Sequence, residues 1–507
     1  MLKAMRAVSE SALVRVFALV GLFSLMPLNQ IHSLSAMKDY DIWWHTRVGH
    51  WILRTHSFPH VGLFSRVGET RPWVAYSWGF EVIMACLQSV FGLLCAPLFV
   101  IAMDMVIVFV LFFFLWRLSS SFWWSWLLAY VAIWGMDLNW VGVGRPVMFS
   151  VLFFLLELGL IFVAISSGCE TGKRKRSLYL LPVLFVVWAN CHIQFIYGLG
   201  MLGLFALVTT VEYLIGKRQF AGQTFLPELG LRPVLLWGIF VASFVATLLN
   251  PYGIGLYRVV FHYAAESNFA FAVVNELKAL TFRRDTHFVE LLLALMAFFA
   301  MGRRKVEPFK LALMIAISII SFRSGRDAWF LCIASAAVIA ASLKHKQEAA
   351  ESVSSESAGG LNRWQLAGAL AGSLGIVLLA GLDAQLSERN IMRVVQNTFP
   401  LDAVAFVERN HPPGPLFNQF DWGGFLIATM PDYPVSIDGR TDLYGDELMR
   451  READSANGLN LDDDPAFKQA NVFFLPASIP LCRVLEQSPH YDLIYADRMA
   501  MVFVRKP

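Results

Sequence analysis

Two aspartates stand at the start of a stretch near the N-terminus that is rich in tryptophan and histidine. The stretch reads DYDIWWHTRVGHWILRTHSFPH from Asp39 to His60. A carboxylate can take the proton from a reacting hydroxyl group, so Asp39 and Asp41 are candidate catalytic residues. The alternative is that Asp41 only caps a helix, because Asp is favoured at the N-cap position. We expect one or both carboxylates to be catalytic.

A helix is expected to position these carboxylates. Trp44, Val48, Trp51 and Ile52 fall at positions i, i+4, i+7 and i+8, which is one face of a helix. Such a helix is expected to lie flat in the headgroup region of a membrane, with its indole rings at the interface. His45 falls on another face and is a candidate for binding substrate.

The composition indicates a membrane protein. Of 507 residues, 57% are hydrophobic and only 16% are charged, and the mean hydropathy is +0.56. Soluble globular chains have about 25% charged residues, whereas apolar stretches of about 20 residues, long enough to span a bilayer as helix, recur along this chain. The expected fold is a polytopic α-helical membrane protein with about 11–13 transmembrane helices, followed by a small α/β domain.

Basic clusters predict the orientation, because Lys and Arg stay on the cytoplasmic side of a membrane. The clusters are Lys3 with Arg6, 173–176, 217–218, 303–305, and Lys344 with Lys346. Placing all of them inside predicts a transmembrane domain at 1–343 with a periplasmic loop at 32–77, a cytoplasmic linker at 344–363, a last transmembrane helix at 364–382, and a periplasmic α/β domain at 383–507. The protein is then a multi-pass protein of the inner (cytoplasmic) membrane.

Two segments leave alternatives open. The apolar run 17–31 follows Lys3, Arg6 and Arg15, as in a signal peptide, and small residues follow it; we expect an uncleaved first helix, although cleavage is the alternative. Four apolar segments near 78–94, 97–116, 122–136 and 146–167 must cross the membrane an odd number of times. One of them is therefore expected to be re-entrant, split or fused with a neighbour.

Eight further polar residues are candidates for binding substrate, because they fall near the outer ends of predicted helices, where a cavity would open. They are Glu81, Arg145, Asn190, His192, Asn250, Tyr252, Arg323 and Arg326. Arg323 and Arg326 are three residues apart and can form a fork for a phosphate, although arginines also snorkel at interfaces. Asn190 and His192 are either a structural pair or donors to that phosphate.

The sequence predicts no metal centre and requires no cofactor, although a divalent metal ion remains possible. The six cysteines include no C-x-x-C pair, so neither a zinc site nor a disulfide framework follows. Phosphate-binding glycine loops are absent. The net charge of +3 carries no information about nucleic acid, and no nucleic-acid partner is expected.

The C-terminal domain is predicted to contain strands at 415–418, 434–437, 472–475, 492–495 and 501–505, and helices at 423–430 and 481–488. The residues Asp421, Asp438, Arg440 and Asp442 cluster near its glycine turns. We expect a solvated turn with internal ion pairs there, and a contact to a polar acceptor or a metal is the alternative.

The motifs of the first loop resemble those of membrane glycosyltransferases of the GT-C fold, which use sugars linked to polyprenyl or dolichyl phosphate. These motifs are D-x-D-x-W-W-H, G-x-W-I-L and, at 72–81, P-W-x-x-x-S-W-x-x-E. Further motifs at 188–192, 249–253, 417–424 and 437–442 resemble bacterial proteins of this type. The resemblance implies an acidic motif in the first external loop, which matches Asp39 and Asp41.

The function that this resemblance implies is inverting transfer of a sugar from a polyprenyl-phosphate donor to a glycan, lipid or protein acceptor at the outer face of the membrane. Membrane lipid is then a further partner. One alternative is a transporter or flippase of a lipid-linked glycan, although no internal repeat of the kind that transporters have is evident. The other is a non-catalytic assembly factor whose acidic tail recruits a partner.

Overall fold

The structure is a computed structural model. It describes residues 11–136, 143–165, 176–217, 232–266, 274–302, 307–351 and 362–507, together with Phe269 and Ala272. Most of the basic clusters that predict the orientation, and residues 352–361 of the predicted linker, lie outside the described residues.

The chain up to Asp383 is helical. Its helices are α1 (Ala12–Ser33), α2 (Ser35–Lys38), α3 (Ile42–Thr55), α4 (Trp78–Phe91), α5 (Cys95–Ser119), α6 (Phe122–Gly135), α7 (Val147–Ile165), α8 (Leu181–Cys191), α9 (Phe195–Lys217), α10 (Pro233–Thr247), α11 (Gly255–Glu266), α12 (Asp285–Gly302), α13 (Pro308–Arg323), α14 (Ala328–Glu351) and α15 (Arg363–Asp383). Short 3-10 turns lie at Gly92–Leu94, Asn275–Leu277 and Gly325–Asp327.

Several of these helices can span a membrane. Among the described residues, seven helical segments are long and apolar enough, by length and composition, namely Ala12–Ser33, Trp78–Ser119, Val147–Ile165, Phe195–Ile215, Asp285–Gly302, Gly325–Leu343 and Arg363–Asp383. The predicted class of polytopic helical membrane protein is thereby confirmed.

Within the described residues, fewer helices have the full length of a membrane span than the sequence suggested, for two reasons. The helices α6, α8 and α10 have only 14, 11 and 15 residues; at 1.5 Å per residue such helices reach about 16–23 Å, short of the roughly 30 Å hydrocarbon core. The helices α4 and α5 are joined without a loop by the turn Gly92–Leu94, where Gly92 has a φ of 56°.

Helix α14 lies at the centre of the helical part. It packs against α5, α6, α12 and α13, and most of its apolar surface is buried inside the protein. At the periphery, α1 packs along α15, so that the first and last long helices are neighbours although they are far apart in the chain.

The first loop packs against protein on both sides. Helix α3 lies along α4 so closely that a Cβ atom at Gly49 would come within 1.9 Å of the Glu81 carbonyl oxygen. Trp44, Val48 and Ile52 of the predicted apolar face of α3 are buried, with Trp44 only 5% exposed, whereas Trp51 is partly exposed. The expectation that this indole ring lies at the membrane interface is therefore wrong, because the C-terminal domain covers it.

The chain after Asp383 forms the predicted small α/β domain. Its helices are α16 (Glu388–Thr398), α17 (Leu401–Asn410), α18 (Gly423–Thr429), α19 (Thr441–Ala456), α20 (Pro465–Gln469) and α21 (Pro480–Gln487), with 3-10 turns at Phe420–Trp422 and Leu461–Asp463. Its strands are β1 (Leu416–Asn418), β2 (Val472–Pro476), β3 (Tyr491–Ala496) and β4 (Ala500–Arg505). They form one sheet in the order β1-β2-β4-β3, in which only β1 and β2 are parallel.

One predicted strand, 434–437, is wrong, and the reason reveals how the domain docks. Val435 does not join the sheet; its N–H donates to the Phe64 carbonyl oxygen at 3.0 Å, and its own carbonyl accepts from the Arg66 N–H at 3.0 Å. The backbone hydrogen bonds of this extended segment go to the first loop. The loop and the C-terminal domain therefore form one packed unit above the helices.

Candidate active site

Asp41 stands immediately before α3, but its side chain does not cap the helix. The residue occupies the N-cap position without a side-chain capping hydrogen bond. Its Oδ1 instead accepts a hydrogen bond from Trp44 Nε1 at 3.1 Å, and its Oδ2 lies 3.2 Å from an Arg145 guanidinium nitrogen. The carboxylate thus faces away from the helix end, in an ion pair.

Asp39 holds the partner of that ion pair. Arg145 Nε donates to Asp39 Oδ2 at 2.6 Å and a second guanidinium nitrogen donates to Oδ1 at 3.2 Å, which is a bidentate pair. The same Asp39 Oδ1 accepts the backbone N–H of Asp41 at 2.8 Å. Asp39 is 4% exposed and, through these bonds, orients both Arg145 and the Asp41 backbone.

The network continues through Glu276, which lies in the 3-10 turn before α12. Glu276 Oε2 lies 2.7 Å from an Arg145 nitrogen, and Oε1 lies 3.4 Å from an Arg326 nitrogen. Three carboxylates and two guanidinium groups from four distant segments therefore alternate in charge. Sequence reasoning did not find Glu276, because no motif surrounds it and only its position in an outer loop marked it.

The network sets the protonation of its carboxylates. Burial raises the pKa of Asp41 to about 7, because its effect and that of Asp39 outweigh the opposing effect of Arg145. For Glu276, burial also opposes ionisation, but Arg145 and Arg326 together hold its pKa below the ordinary value. Asp41 is thus poised to exchange a proton near neutral pH, whereas Glu276 stays ionised.

A cavity of about 740 Å³ opens beside Asp41. Its walls come from the first loop, the outer ends of the helices and the C-terminal domain. Among the sequence-predicted site residues, those that line it are Asp41, His45, Arg145, His192, Arg323 and Arg326. The arrangement places several carboxylates, among them Asp41 and Glu276, and several nitrogen donors around one space of the size that ligand pockets have.

The cations of one wall come from the end of α13 and the 3-10 turn that follows. Arg323 is exposed to the cavity, and Arg326 is partly buried beside Glu276. The turn between α13 and α14 is fixed by Asp327, whose carboxylate accepts hydrogen bonds from Gln194 Nε2 at 2.8 Å and Tyr197 Oη at 3.3 Å.

Two histidines also line the cavity, and each is held by a buried partner. His45 stacks on Trp44, and its Nδ1 lies 3.2 Å from Glu81 Oε1. Burial, with Arg145 nearby, lowers the pKa of His45 well below its usual value. Glu81 contacts His45 but does not itself line the cavity.

Three other candidates lie away from the cavity and tie loops together. Asn190 accepts from Trp78 Nε1 at 2.7 Å and donates to the Leu249 carbonyl oxygen at 2.9 Å. Asn250 closes its own turn by donating to the Thr247 carbonyl oxygen at 2.6 Å. Tyr252 Oη donates to the Pro59 carbonyl oxygen at 2.9 Å. Their contacts are structural ones that hold the outer loops in place.

The C-terminal domain completes the cavity from above. Phe420, Asp421, Gly439, Thr441 and Asp442 line it. Burial raises the pKa of Asp442 to about 6, against the opposing effect of nearby Arg440, and its Oδ2 accepts a hydrogen bond from Trp73 Nε1 at 3.1 Å.

The expected solvated turn at 438–442 is wrong for Asp438 and Arg440, which are 0% and 2% exposed. Arg440 makes a bidentate pair with Asp438, at 2.8 and 2.6 Å, and donates to the Leu63 carbonyl oxygen at 2.7 Å. Its guanidinium also lies over the Trp73 ring at 4.8 Å. This buried ion pair fastens the domain to the first loop.

Among the described residues, no group of three or more His, Cys, Asp or Glu side chains is arranged to hold a metal ion.

Comparison with solved structures finds similar folds. The archaeal oligosaccharyltransferase AglB from Archaeoglobus fulgidus, in complex with an inhibitory peptide and a dolichol-phosphate, matches 94% of this chain and 70% of its own with a TM-score of 0.56 at 11% identity. ArnT from Cupriavidus metallidurans, bound to undecaprenyl phosphate, matches 96% of this chain and 97% of its own with a TM-score of 0.50 at 14% identity.

A further structure of the Archaeoglobus fulgidus oligosaccharyltransferase, tethered to an acceptor peptide containing the NVT sequon, matches 92% of this chain and 69% of its own, with a TM-score of 0.51 at 11% identity. No protein-family profile and no curated protein sequence matches the chain. At these identities the similarity concerns the fold, and the GT-C-like fold that the resemblance implied is confirmed.

Proposed function

We propose that this chain is a membrane glycosyltransferase that moves a sugar from a polyprenyl-phosphate donor to an acceptor hydroxyl group at the outer face of the cytoplasmic membrane. The observation that carries the proposal is one cavity that is lined by Asp41, whose pKa is raised to about 7, and by Arg323 and Arg326. The structural neighbours, whose structures contain dolichol-phosphate or undecaprenyl phosphate, support this donor class.

The proposed reaction inverts the anomeric carbon in one displacement. Asp41 accepts the proton of the acceptor hydroxyl, whose oxygen forms the new bond to the anomeric carbon. The bond from that carbon to the phosphate oxygen breaks, and the phosphate leaves with the electron pair. Arg323 and Arg326 offset the negative charge that gathers on the phosphate as it leaves.

Asp39 and Arg145 have positioning roles in this proposal. Arg145 contacts Asp41 and is itself held on two sides by Asp39 and Glu276. Because Asp39 and Glu276 hold Arg145 in place, its guanidinium group does not form a bidentate pair with Asp41. The Asp41 side chain is 21% exposed and remains accessible from the cavity. The acceptor can be a glycan, a lipid or a protein.

The experiment uses the purified full chain in nanodiscs with a panel of undecaprenyl-phosphate sugars carrying radiolabelled sugar. Asp41→Asn is nearly isosteric but cannot accept the proton, so turnover should fall by about 10²–10⁴. Asp462→Asn, at an exposed acid of the C-terminal domain outside the cavity, is the matched control and should leave turnover unchanged.

Wild-type turnover in Asp41→Asn would exclude Asp41 as the base. Movement of intact donor across proteoliposome membranes without any sugar transfer would instead favour a transporter.

A further inference from the structure

Three buried side chains form a hydrogen-bonded relay behind the inner wall of the cavity. Trp188 lies in the last turn of α8, His192 directly follows the helix, and Ser150 on α7 lies between their side chains. Trp188 Nε1 lies 2.8 Å from Ser150 Oγ, and Ser150 Oγ lies 2.7 Å from His192 Nδ1. All three side chains are buried, and His192 also lines the cavity.

The chemistry of the three groups gives the relay a direction. An indole N–H can only donate, so Ser150 Oγ is the acceptor of the bond from Trp188. A hydroxyl has one hydrogen, and among the described residues Ser150 has no third partner to receive it. The hydrogen is therefore directed at His192 Nδ1, which must be the unprotonated nitrogen of the ring. The ring proton then sits on Nε2.

Nε2 is separated from Nδ1 by one ring carbon, so its N–H points away from the buried Ser150 hydroxyl to which Nδ1 is bonded. His192 shares the cavity wall with Arg326. Burial, and secondarily the nearby charge of Arg326, lower the pKa of His192 well below its usual value, so the ring is neutral. It can offer one directed N–H to a ligand without adding a positive charge to those of the arginines.

We propose that Trp188 and Ser150 are positioning residues that hold His192 as the Nε2–H tautomer, so that His192 donates a hydrogen bond to an anionic oxygen of the ligand beside Arg326. Taking that oxygen to belong to the lipid phosphate rests on the proposed function. A neutral donor stabilises the anion through direction rather than charge, and so binds the product phosphate less tightly than a further cation would.

The tautomer can be observed directly. In the full chain labelled with ¹⁵N-histidine in nanodiscs, the His192 resonances are assigned by their loss in His192→Gln. The expected result is a protonated Nε2 and an unprotonated Nδ1 in the unmodified chain, and a mixture of tautomers in Ser150→Ala. A protonated Nδ1 in the unmodified chain would overturn the proposal.

Binding of farnesyl phosphate tests the consequence. Ser150→Ala should weaken binding roughly tenfold, the scale of one hydrogen bond to a charged group, and Ser150→Thr, which keeps the hydroxyl, should recover most of it. Once His192 is Gln, adding Ser150→Ala should cost little more, because the two residues act as one unit. Ser125→Ala removes a buried hydroxyl that bonds Ser119 and does not line the cavity, so the affinity for farnesyl phosphate should not change.

The two proposals fail in different ways. If the unmodified chain transfers sugar but Ser150→Ala binds farnesyl phosphate as tightly as the unmodified chain does, the relay is refuted and the proposed function stands. If farnesyl phosphate binds with the predicted dependence on Ser150 while no sugar is transferred, the relay stands and the transferase is refuted. Absence of any farnesyl phosphate binding refutes the anionic ligand of His192.

Discussion

At the scale of residues, the site depends on how one arginine is shared among three carboxylates. Arg145 contacts Asp39, Asp41 and Glu276. Asp41 and Glu276 both line the cavity, but the pKa of Asp41 is raised to about 7 whereas that of Glu276 is lowered. Asp39 is buried and makes a bidentate pair with Arg145. Glu276 is stabilised in its ionised form by Arg145 and Arg326. These different environments are the reason that we propose Asp41, and not Asp39 or Glu276, as the base.

This selection predicts the pH dependence of transfer. Asp41 accepts a proton only when ionised, so kcat/KM should rise about tenfold per pH unit below pH 7 and level off above it. Arg145→Gln removes the cation that favours the ionised carboxylate, so the pKa of Asp41 rises and the midpoint should move to higher pH by one unit or more.

The pH profile of sugar transfer measures this midpoint independently of the maximal rate. Arg451→Gln, in an exposed pair with Glu447 on α19, is the control and should leave the midpoint in place. If the midpoint does not move in Arg145→Gln, the ionisation seen in the pH profile is not that of Asp41.

At the scale of elements, the segment that leads into α3 approaches the turn before α19 and the start of α18 more closely than most side chains would allow. A Cβ atom at Gly439 would lie 2.0 Å from Asp41 Oδ1, and one at Gly424 would lie 2.4 Å from the Tyr40 carbonyl oxygen. The C-terminal domain therefore contributes to burying Asp41, and glycine at these two positions is what permits the contact.

Gly439→Ala should displace the Asp41 carboxylate or lift the turn away from it. A displacement of about 1 Å at a catalytic group can cost on the order of 100-fold in rate, so we expect a turnover loss of that size. Gly375→Ala on α15 places its methyl group where no heavy atom lies within 4 Å and should be silent. Unchanged turnover in Gly439→Ala would mean that the contact with the C-terminal domain does not position the Asp41 carboxylate.

At the scale of the whole molecule, the contact between the C-terminal domain and the first loop constrains the side of the membrane on which each of them lies. Val435 pairs with the first loop, and Arg440 bonds both Asp438 and the Leu63 carbonyl oxygen. A packed interface of this kind cannot be divided by a bilayer. The loop 32–77 and the domain 383–507 must therefore lie on the same side of the membrane.

Labelling of intact cells with an impermeant thiol reagent tests which side this is. Because Lys and Arg clusters stay inside, Ser488→Cys should be labelled and Ser355→Cys should not, each in a chain whose native cysteines are replaced. Permeabilised cells, in which both positions should react, are the control. Labelling at Ser355 alone would reverse the proposed orientation and place the cavity on the cytoplasmic face.

The class of fold and most of its helices could be predicted from the sequence, because a transmembrane helix is defined locally by a run of apolar residues. The helices α4 to α7 lie close to the four apolar segments between residues 78 and 167, and α15 lies close to the predicted last helix at 364–382. Asp41, Arg323 and Arg326 were likewise marked by residue type and by their place at predicted outer helix ends.

Only the tertiary structure decided what these residues do together. Sequence reasoning could not distinguish Asp39 from Asp41 as the catalytic candidate. In the structure Asp39 is buried in its pair with Arg145, whereas Asp41 lines the cavity. The segment 434–437 has the composition of a strand, yet its hydrogen bonds go to the first loop. Glu276 joins the site from an outer loop without a motif. Such outcomes depend on contacts between residues hundreds of positions apart, which no local pattern of residues records.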